Sequence, residues 1–539
     1  MSNADPSGPP QRTFGRPTGT QPIAPPNAGR PSPRPWWRVR PSTVVIIGAV
    51  LIMVASVAVI PIITPAVDRW LAAHRPAPAP AVPHDPGPPV STGSNTRGGP
   101  GVGDPYFPDY GSSGYNARKY TIDLNWNPDA HILSGSTRMD ATSDHLLRSF
   151  YVDLVLPVTK ITVNGRPATF SRQSLYDVRI NPEHAVAAHA RFHVSVTYAG
   201  NPADYHIGNT RPWLVTGDEV SAAGEPEGSA WWYPANDHPS DPATFDVSVR
   251  VPAGLDVISN GRLLSRDSRN EAGFDTWHWA TPETLDTYQS LLSIGRYQIK
   301  QGTADGLPYV YAVSEQLSQR QRAKAFANLA LTPKIISDEE SIYGPYPYDA
   351  IGGLVTGHNL WYDGLESATR PVYAARDMTS GNASGLLTHE LAHMWFGDHV
   401  TLKQWNDIFI NEAYASFTQW WRTEKTGGRS ADAQLLKTYD DYAKKPDLWQ
   451  ISMIDPGRDH LFDAVYLRGP MTLQALRNVI GDHAFFKLAR QWAQRGGVHS
   501  LEDWMVMAEQ VSGKNLDGFF QAWLYGPTAP ARTRANGLA

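Results

Sequence analysis

The chain contains no cysteine. That absence removes disulfides, thiolate zinc sites, iron–sulfur clusters and cysteine nucleophiles together, and neither requires nor forbids an exported location. Surplus positive charge is also lacking. The formal net charge is -5, so no global basic field points to nucleic acid, and no nucleic-acid partner is expected. There is no G-x-S-x-G elbow, phosphate-cradling glycine loop, EF-hand loop or internal repeat of fixed period. What remains is an ordinary globular composition, 41% hydrophobic and 18% charged over 539 residues, enough for more than one domain.

One stretch is itself marked by missing charge. Thr43–Ile63 reads TVVIIGAVLIMVASVAVIPII, an apolar run of about the length that spans a bilayer. Trp36, Trp37 and Trp70 flank it, where interfacial aromatics are favoured. Residues 43–65 are therefore expected to form a transmembrane helix in the lipid bilayer. Arg12, Arg16, Arg30, Arg34, Arg38 and Arg40 precede the run, and only Arg69 and Arg75 follow closely. The positive-inside bias then places the N-terminus in the cytoplasm and the remainder outside, on a single-pass plasma-membrane anchor. Two other readings stay open: a buried core helix, and a signal peptide cleaved near APAPA at Ala77–Ala81.

Composition shifts mark the other boundaries. Residues 1–42, rich in Pro, Gly and Arg, are expected to be a disordered cytoplasmic arm. Residues 66–105 are expected to be a Pro-rich linker. In 106–296 the segments KYTIDLNW, ARFHVSVTYAG and ATFDVSVRVP alternate polar and apolar, and VNGR and SNGR punctuate them. An all-β domain, a curved sandwich, is the expectation. From 297 to 526 helical periodicity takes over, in QRAKAFANLALTPKIISDEESIYG, PMTLQALRNVI, HAFFKLARQWAQ and LEDWMVMAEQV. Residues 527–539 are expected to be a flexible tail.

The chemistry concentrates in GLLTHELAHMWFGDHV, Gly385–Val400. On a helix His389 and His393 share a face, with Glu390 on the adjacent edge. Zinc takes neutral imidazoles readily, and H-E-x-x-H on a helix is the short pattern for that arrangement. Alone it is suggestive, since a chance match in a chain of this composition is on the order of a few per cent. The flanking LAHMWFG is strongly apolar, so the helix should be buried, and buried polar groups need partners. Glu412, separated from His393 by 18 intervening residues, lies in WNDIFINEAYASFTQWW and offers a candidate third ligand. His358 and His399 read as ordinary polar residues, and NAS at Asn382–Ser384 fits a glycosylation triplet that is common by chance.

HELAHMWFGD, the following gap and NEAYASF resemble the gluzincin aminopeptidases, the family of aminopeptidase N and the leukotriene hydrolases. GDPYFPDYGSSGY, WWYPANDHPSDPATFDV and LDGFFQAWLYGPTAP extend the resemblance over most of the chain beyond the linker. It implies an α+β multidomain fold, with a saddle-like β sandwich followed by a thermolysin-like, mainly helical catalytic domain. It implies one zinc ion on His389, His393 and Glu412, with Glu390 as general base. VYLRGPMTLQALR resembles the segment whose tyrosine stabilises the oxyanion, which makes Tyr466 the match. DGLESATRPVY resembles the G-x-M-E-N edge strand, so Glu366 matches the amine-binding glutamate. GEPEGSAWWYP resembles Q-P-E-G-A, making Glu227 the second acidic candidate, with Glu225 in place of glutamine.

Asp363, Ser367, Glu225, Ala413 and Pro470 depart from the family pattern without touching the zinc set. The resemblance leaves no room for a large C-terminal helical domain, so a more open peptide entrance is expected. The expected function is a membrane-anchored zinc metallo-aminopeptidase acting on peptides with a free N-terminus. An endopeptidase or epoxide hydrolase on the same site, or an inactive surface binding protein, stays as the alternative.

Overall fold

The structure is a computed structural model that describes residues 96–539, apart from 209, 223, 269–272 and 359. The expected arm at 1–42, the expected transmembrane helix at 43–65 and most of the expected linker lie outside the described residues. Among the described residues no helix is long and apolar enough to cross a membrane.

The first half is built from strands whose alternation is visible in their burial. In Ala243–Pro252 every second residue is buried: Ala243, Phe245, Val247, Val249 and Val251. That is the pattern of a strand with one face on the core. Tyr115–Asn127 pairs antiparallel with Ile132–Ser143 and parallel with Ala243–Pro252, in the middle of a ten-stranded sheet. A four-stranded sheet, Asp256–Ser259, Leu292–Gly295, Glu219–Ala222 and Trp213–Thr216 in spatial order, completes this β-rich part. VNGR is a hairpin turn, with Asn164 and Gly165 both at positive φ, as a two-residue loop of that kind needs. SNGR instead carries the chain from one sheet to the other.

The second half opens with a sheet that periodicity did not reveal. Tyr297–Ala304, Leu307–Ser314, Ile351–Val355, Val372–Tyr373 and Gly364–Leu365 form five strands in that spatial order, so Gly364–Leu365 is an edge. Helices follow. The segment from Gln319 to Tyr343 is two helices, Gln319–Leu329 and Thr332–Tyr343, with Pro333 in the first turn of the second. Proline is tolerated there, where its missing N–H has no intrahelical partner to lose. Multidomain α+β architecture, with a β-rich N-terminal part and a helical catalytic part, is what results.

Two expected segments differ from the structure. The residues just before 106 are packed rather than linker: Asp104 is 2% exposed and accepts from Trp405 N at 2.8 Å and faces His238 Nε2 at 3.2 Å. A buried carboxylate with those partners ties the chain to both halves. The expected tail at 527–539 is docked. Leu538 is buried, Asn478 Nδ2 donates to Gly537 O at 2.9 Å, and Trp523 Nε1 donates to Asn536 O at 3.2 Å. One apolar side chain and satisfied carbonyls fix a segment whose composition looks like loop.

Candidate metal centre and active site

Ser384–Ala392 is the motif helix, buried through Leu386, Leu387 and Leu391. It ends at His393, which keeps helical dihedrals (φ -60°, ψ -23°), so the face carrying His389 continues through it. Gly397, at φ +119°, then turns the chain away. Glu412 stands in the first turn of Phe409–Lys425, where the helix dipole favours a negative charge. The third element, Val465–Ile480, approaches that helix closely at Gly469. A Cβ there would lie 2.7 Å from Ala413 Cα. The missing side chain accommodates Ala413 and brings Tyr466, one turn earlier, beside the cluster.

His389 Nε2 lies 3.2 Å and His393 Nε2 3.6 Å from Glu412 Oε2. All three residues are at most 2% exposed. Glu412 Oε2 is nonetheless without a well-formed hydrogen bond, although both rings face it. His393 Nδ1 contacts Phe396 O at 2.9 Å, which places the proton on Nδ1 and leaves Nε2 as a lone pair facing the glutamate. The three residues offer ligand atoms within 4.8 Å of one another. Two imidazole nitrogens and a carboxylate oxygen converging in this way fit a divalent ion with nitrogen and oxygen preference, zinc foremost.

These residues line a cleft. Glu225, Asp363, Glu366 and Glu390 line it too, so five carboxylates, of which Asp363 is paired with Arg376, and two imidazoles share one space. Burial raises the Glu390 and Glu225 carboxyls well above the usual range, and neighbouring carboxylates add to the effect. Burial likewise raises Glu366, against the lowering effect of His393. Burial opposes ionisation of Glu412, yet the flanking imidazoles win and hold it down at about 2. For His393 burial disfavours the cation, but Glu366, Glu412 and Glu390 outweigh it and raise the imidazole. Desolvation opposes charge on each of these groups, and at Glu412 and His393 the attraction between carboxylate and imidazole outweighs it.

The expected site residues can now be placed. Glu366 follows the edge strand Gly364–Leu365, and its Oε1 accepts from Tyr288 Oη at 3.1 Å. Its turn is fastened by SNGR: Asn260 Nδ2 donates to Ala368 O at 2.8 Å, and Arg370 Nη1 donates to Ser259 O at 2.6 Å. Gly364 has no room for a side chain, since a Cβ would stand 2.3 Å from Glu390 Oε1. Asp363, one of the departures, is buried in an ion pair with Arg376, which also holds Leu360 O and Tyr362 O.

The acidic pair of the β domain is reordered. Glu225 enters the cleft, whereas Glu227 lines a separate cleft with Tyr110, Asp153, Tyr176 and Asp237. The chain folds back tightly here, with a Cβ on Gly224 only 2.4 Å from Glu227 O, and the two side chains part. Burial pushes Glu227 up to about 8. His358 is not the ordinary polar residue it looked. It is buried, with Nδ1 at 2.7 Å from Thr216 Oγ1 and Nε2 at 3.5 Å from Glu219 Oε1. Tyr288, Trp361, Tyr362 and Phe462 also serve the cleft and were missed. None lies in a pattern that singles it out before the chain is folded.

A His-His-Glu donor set on two helices, with a further carboxylate beside it, is the donor arrangement that suits a catalytic zinc ion. Residues 366–523 match the family model described as the Peptidase family M1 domain. The chain is 24% identical over 404 residues to the tricorn protease-interacting factor F2 of Thermoplasma acidophilum, covering 70% of this chain and 49% of that protein. It is 25% identical to aminopeptidase N of Streptomyces lividans, over 53% of this chain and 36% of that protein. The chain thus spans about half or less of the length of these curated relatives. The solved M1 zinc metallopeptidase of Deinococcus radiodurans superposes with a TM-score of 0.71 at 25% identity, covering 80% of this chain and 99% of that one. A mutant of that protein has been solved with a Tyr-Ser-Ala substrate, at a TM-score of 0.72. The chain is thus similar to the M1 peptidases in its family-model match, in its curated relatives and in its solved structural neighbours.

Proposed function

We propose that the chain is a zinc aminopeptidase that removes N-terminal residues from peptides. The observation that carries this reading is the carboxylate surplus of the cleft: Glu225, Glu366 and Glu390 remain after Glu412 is assigned to a metal. Such a space is unfavourable unless cations enter it, and an ion plus a substrate ammonium are the cations an aminopeptidase brings.

His389, His393 and Glu412 would hold zinc, which when bound polarises a scissile carbonyl and lowers the pKa of water. Glu390, raised by burial, takes a proton from the attacking water and delivers it to the departing amine. Tyr466 Oη donates to the oxyanion, a neutral donor because burial keeps its phenol protonated. Glu366, aimed by Tyr288, and Glu225 grip the free ammonium. The unpaired side of Gly364–Leu365 offers backbone groups to an extended peptide.

We infer further that this enzyme is held on the membrane, anchored through 43–65 with its catalytic part outside. The support is the uncharged run, its flanking tryptophans and the arginine bias. Membrane fractionation and protease protection of the full chain test the anchor: a chain recovered wholly in the soluble fraction contradicts it. For the activity, metal analysis is paired with hydrolysis of an aminoacyl amide. One zinc per chain is expected, with cleavage abolished by chelation and by Glu390→Gln. Metal-free protein that still cleaves would overturn the reading.

A further inference from the structure

Residue order along the edge strand gives the cleft a direction. Glu366, assigned to the ammonium, follows one end of Gly364–Leu365. Gly364, at the other end, abuts the base, since a Cβ there would stand 2.3 Å from Glu390 Oε1. The strand therefore runs from the amine towards the bond being cleaved. The residues before Gly364 lie beyond the base, where the departing part of a peptide must sit. Trp361, Tyr362 and Asp363 all line the cleft there.

One side chain holds that bend. Arg376 Nη1 donates to Leu360 O at 2.6 Å, and Nη2 donates to Tyr362 O at 2.8 Å and pairs with Asp363. Two carbonyls and the bend's one carboxylate are thus committed to the guanidinium, and Trp361 is the group left to face a ligand. It is 37% exposed and stands edge-on to the buried Tyr362, with ring centroids 5.0 Å apart. Among the described residues it is the only large apolar side chain of such exposure that lines the cleft. Phe462, stacked on Tyr466, adds a second aromatic ring to the lining from another part of the chain. An aromatic face left partly in water inside a binding cleft is covered most favourably by an apolar group of the ligand.

We propose that Trp361 sets specificity for the residue that follows the cleaved bond, selecting a large apolar or aromatic side chain, and that Arg376 is the positioning residue that presents it. The proposal rests on the aminopeptidase reading and deepens it by naming the chemistry of the substrate's second residue. A cationic side chain also stacks on an indole. The carboxylate that would favour it, Asp363, is already paired with Arg376.

The test compares kcat/KM of the zinc-loaded protein on dipeptide amides with leucine first and Phe, Leu, Gly, Lys or Asp second. Leucinamide, which has no second residue, is the reference. The Phe form is expected to exceed the Gly form by about tenfold or more, the discrimination an apolar pocket supplies. Trp361→Ala should lower kcat/KM for the Phe form by about tenfold more than for leucinamide, and Trp361→Phe should keep most of the preference. Arg376→Gln leaves the indole in place but frees the bend, and should shrink the same ratio. A folding defect would lower the rate on every substrate and leave that ratio standing. Equal kcat/KM across second residues, a best substrate with Lys second, or a preference that survives Trp361→Ala overturns the specificity role and leaves the aminopeptidase reading intact. An unaltered ratio in Arg376→Gln overturns the positioning role. Protein that cleaves neither leucinamide nor any dipeptide amide overturns the aminopeptidase reading itself.

Discussion

Tyr288 Oη donates to Glu366 Oε1 at 3.1 Å, and Gln289 Nε2 donates in turn to Tyr288 Oη at 3.2 Å. A short relay from the β-rich half thus aims the carboxylate proposed to read the substrate's amine. Tyr288→Phe removes a hydrogen bond to a charged group, which contributes about 1.5–3 kcal/mol. The expected outcome is a KM for free-amine substrates raised by about tenfold or more, with kcat little changed. Steady-state kinetics separates this from a general structural defect, which would lower kcat as well.

Gly364 leaves no space for a side chain beside Glu390. Gly364→Ala must displace either the edge strand or the base. A misplacement of about 1 Å costs on the order of a hundredfold in rate. A kcat reduced by that order, in protein with unchanged zinc content, is expected. An Ala variant as active as the parent would show that Glu390 moves freely.

Metal removal should destabilise as well as inactivate. An ion bound only by the folded chain stabilises by about 2.7 kcal/mol at a hundredfold excess over its Kd. The Tm should therefore fall on chelation and recover with zinc. Affinity should weaken as pH falls, because His389 and His393 must be unprotonated to ligate. Thermal scans across zinc concentrations at two pH values check both statements.

His358 gives a pH dependence remote from the metal. Burial lowers its pKa from 6.5 to about 4. Between those values the unfolded chain binds the proton and the folded chain does not. Stability is therefore intact above pH 6.5 and is lost progressively as pH falls from there to about 4, by about 3 kcal/mol. His358→Gln should flatten the stability profile in that window, as followed by denaturant midpoints. An unchanged slope would locate the acid sensitivity elsewhere.

Leu538 closes the core beside Gly537 and Asn536. Leu538→Ala should cost about 2–5 kcal/mol, the range for a truncated core leucine. A lowered Tm with unchanged KM is the expected signature. A neutral effect would mean that the segment is held by its backbone bonds alone.

Local periodicity carried much of this fold. Tyr115–Asn127, Arg191–Gly200 and Ala243–Pro252 were readable because each keeps one face on the core, and so were the helices around His389, Glu412 and Tyr466. The strand at 351–355 went unread, and that at 364–365 was expected from the family resemblance alone, for a physical reason. The first is buried along its whole length and the second is two residues long, so neither alternates. The metal triad was legible because ligation fixes spacing along helices. Tyr288, Trp361 and Phe462 were not, since they meet the cleft only through tertiary packing. The Glu225 and Glu227 pair shows the same limit. Which of two neighbouring carboxylates enters a cleft is decided by a turn, not by spacing.

The most direct test compares matched substrates on zinc-loaded protein: a panel of aminoacyl fluorogenic amides against their N-acetylated counterparts, with Glu366→Gln alongside. The expected result is cleavage of the free amines only, reduced by about a hundredfold or more in the variant, as befits loss of a buried charged contact to the ammonium. Equal cleavage of free and acetylated forms, or a variant with undiminished preference for free amines, would contradict the assignment of Glu366 and with it the aminopeptidase reading.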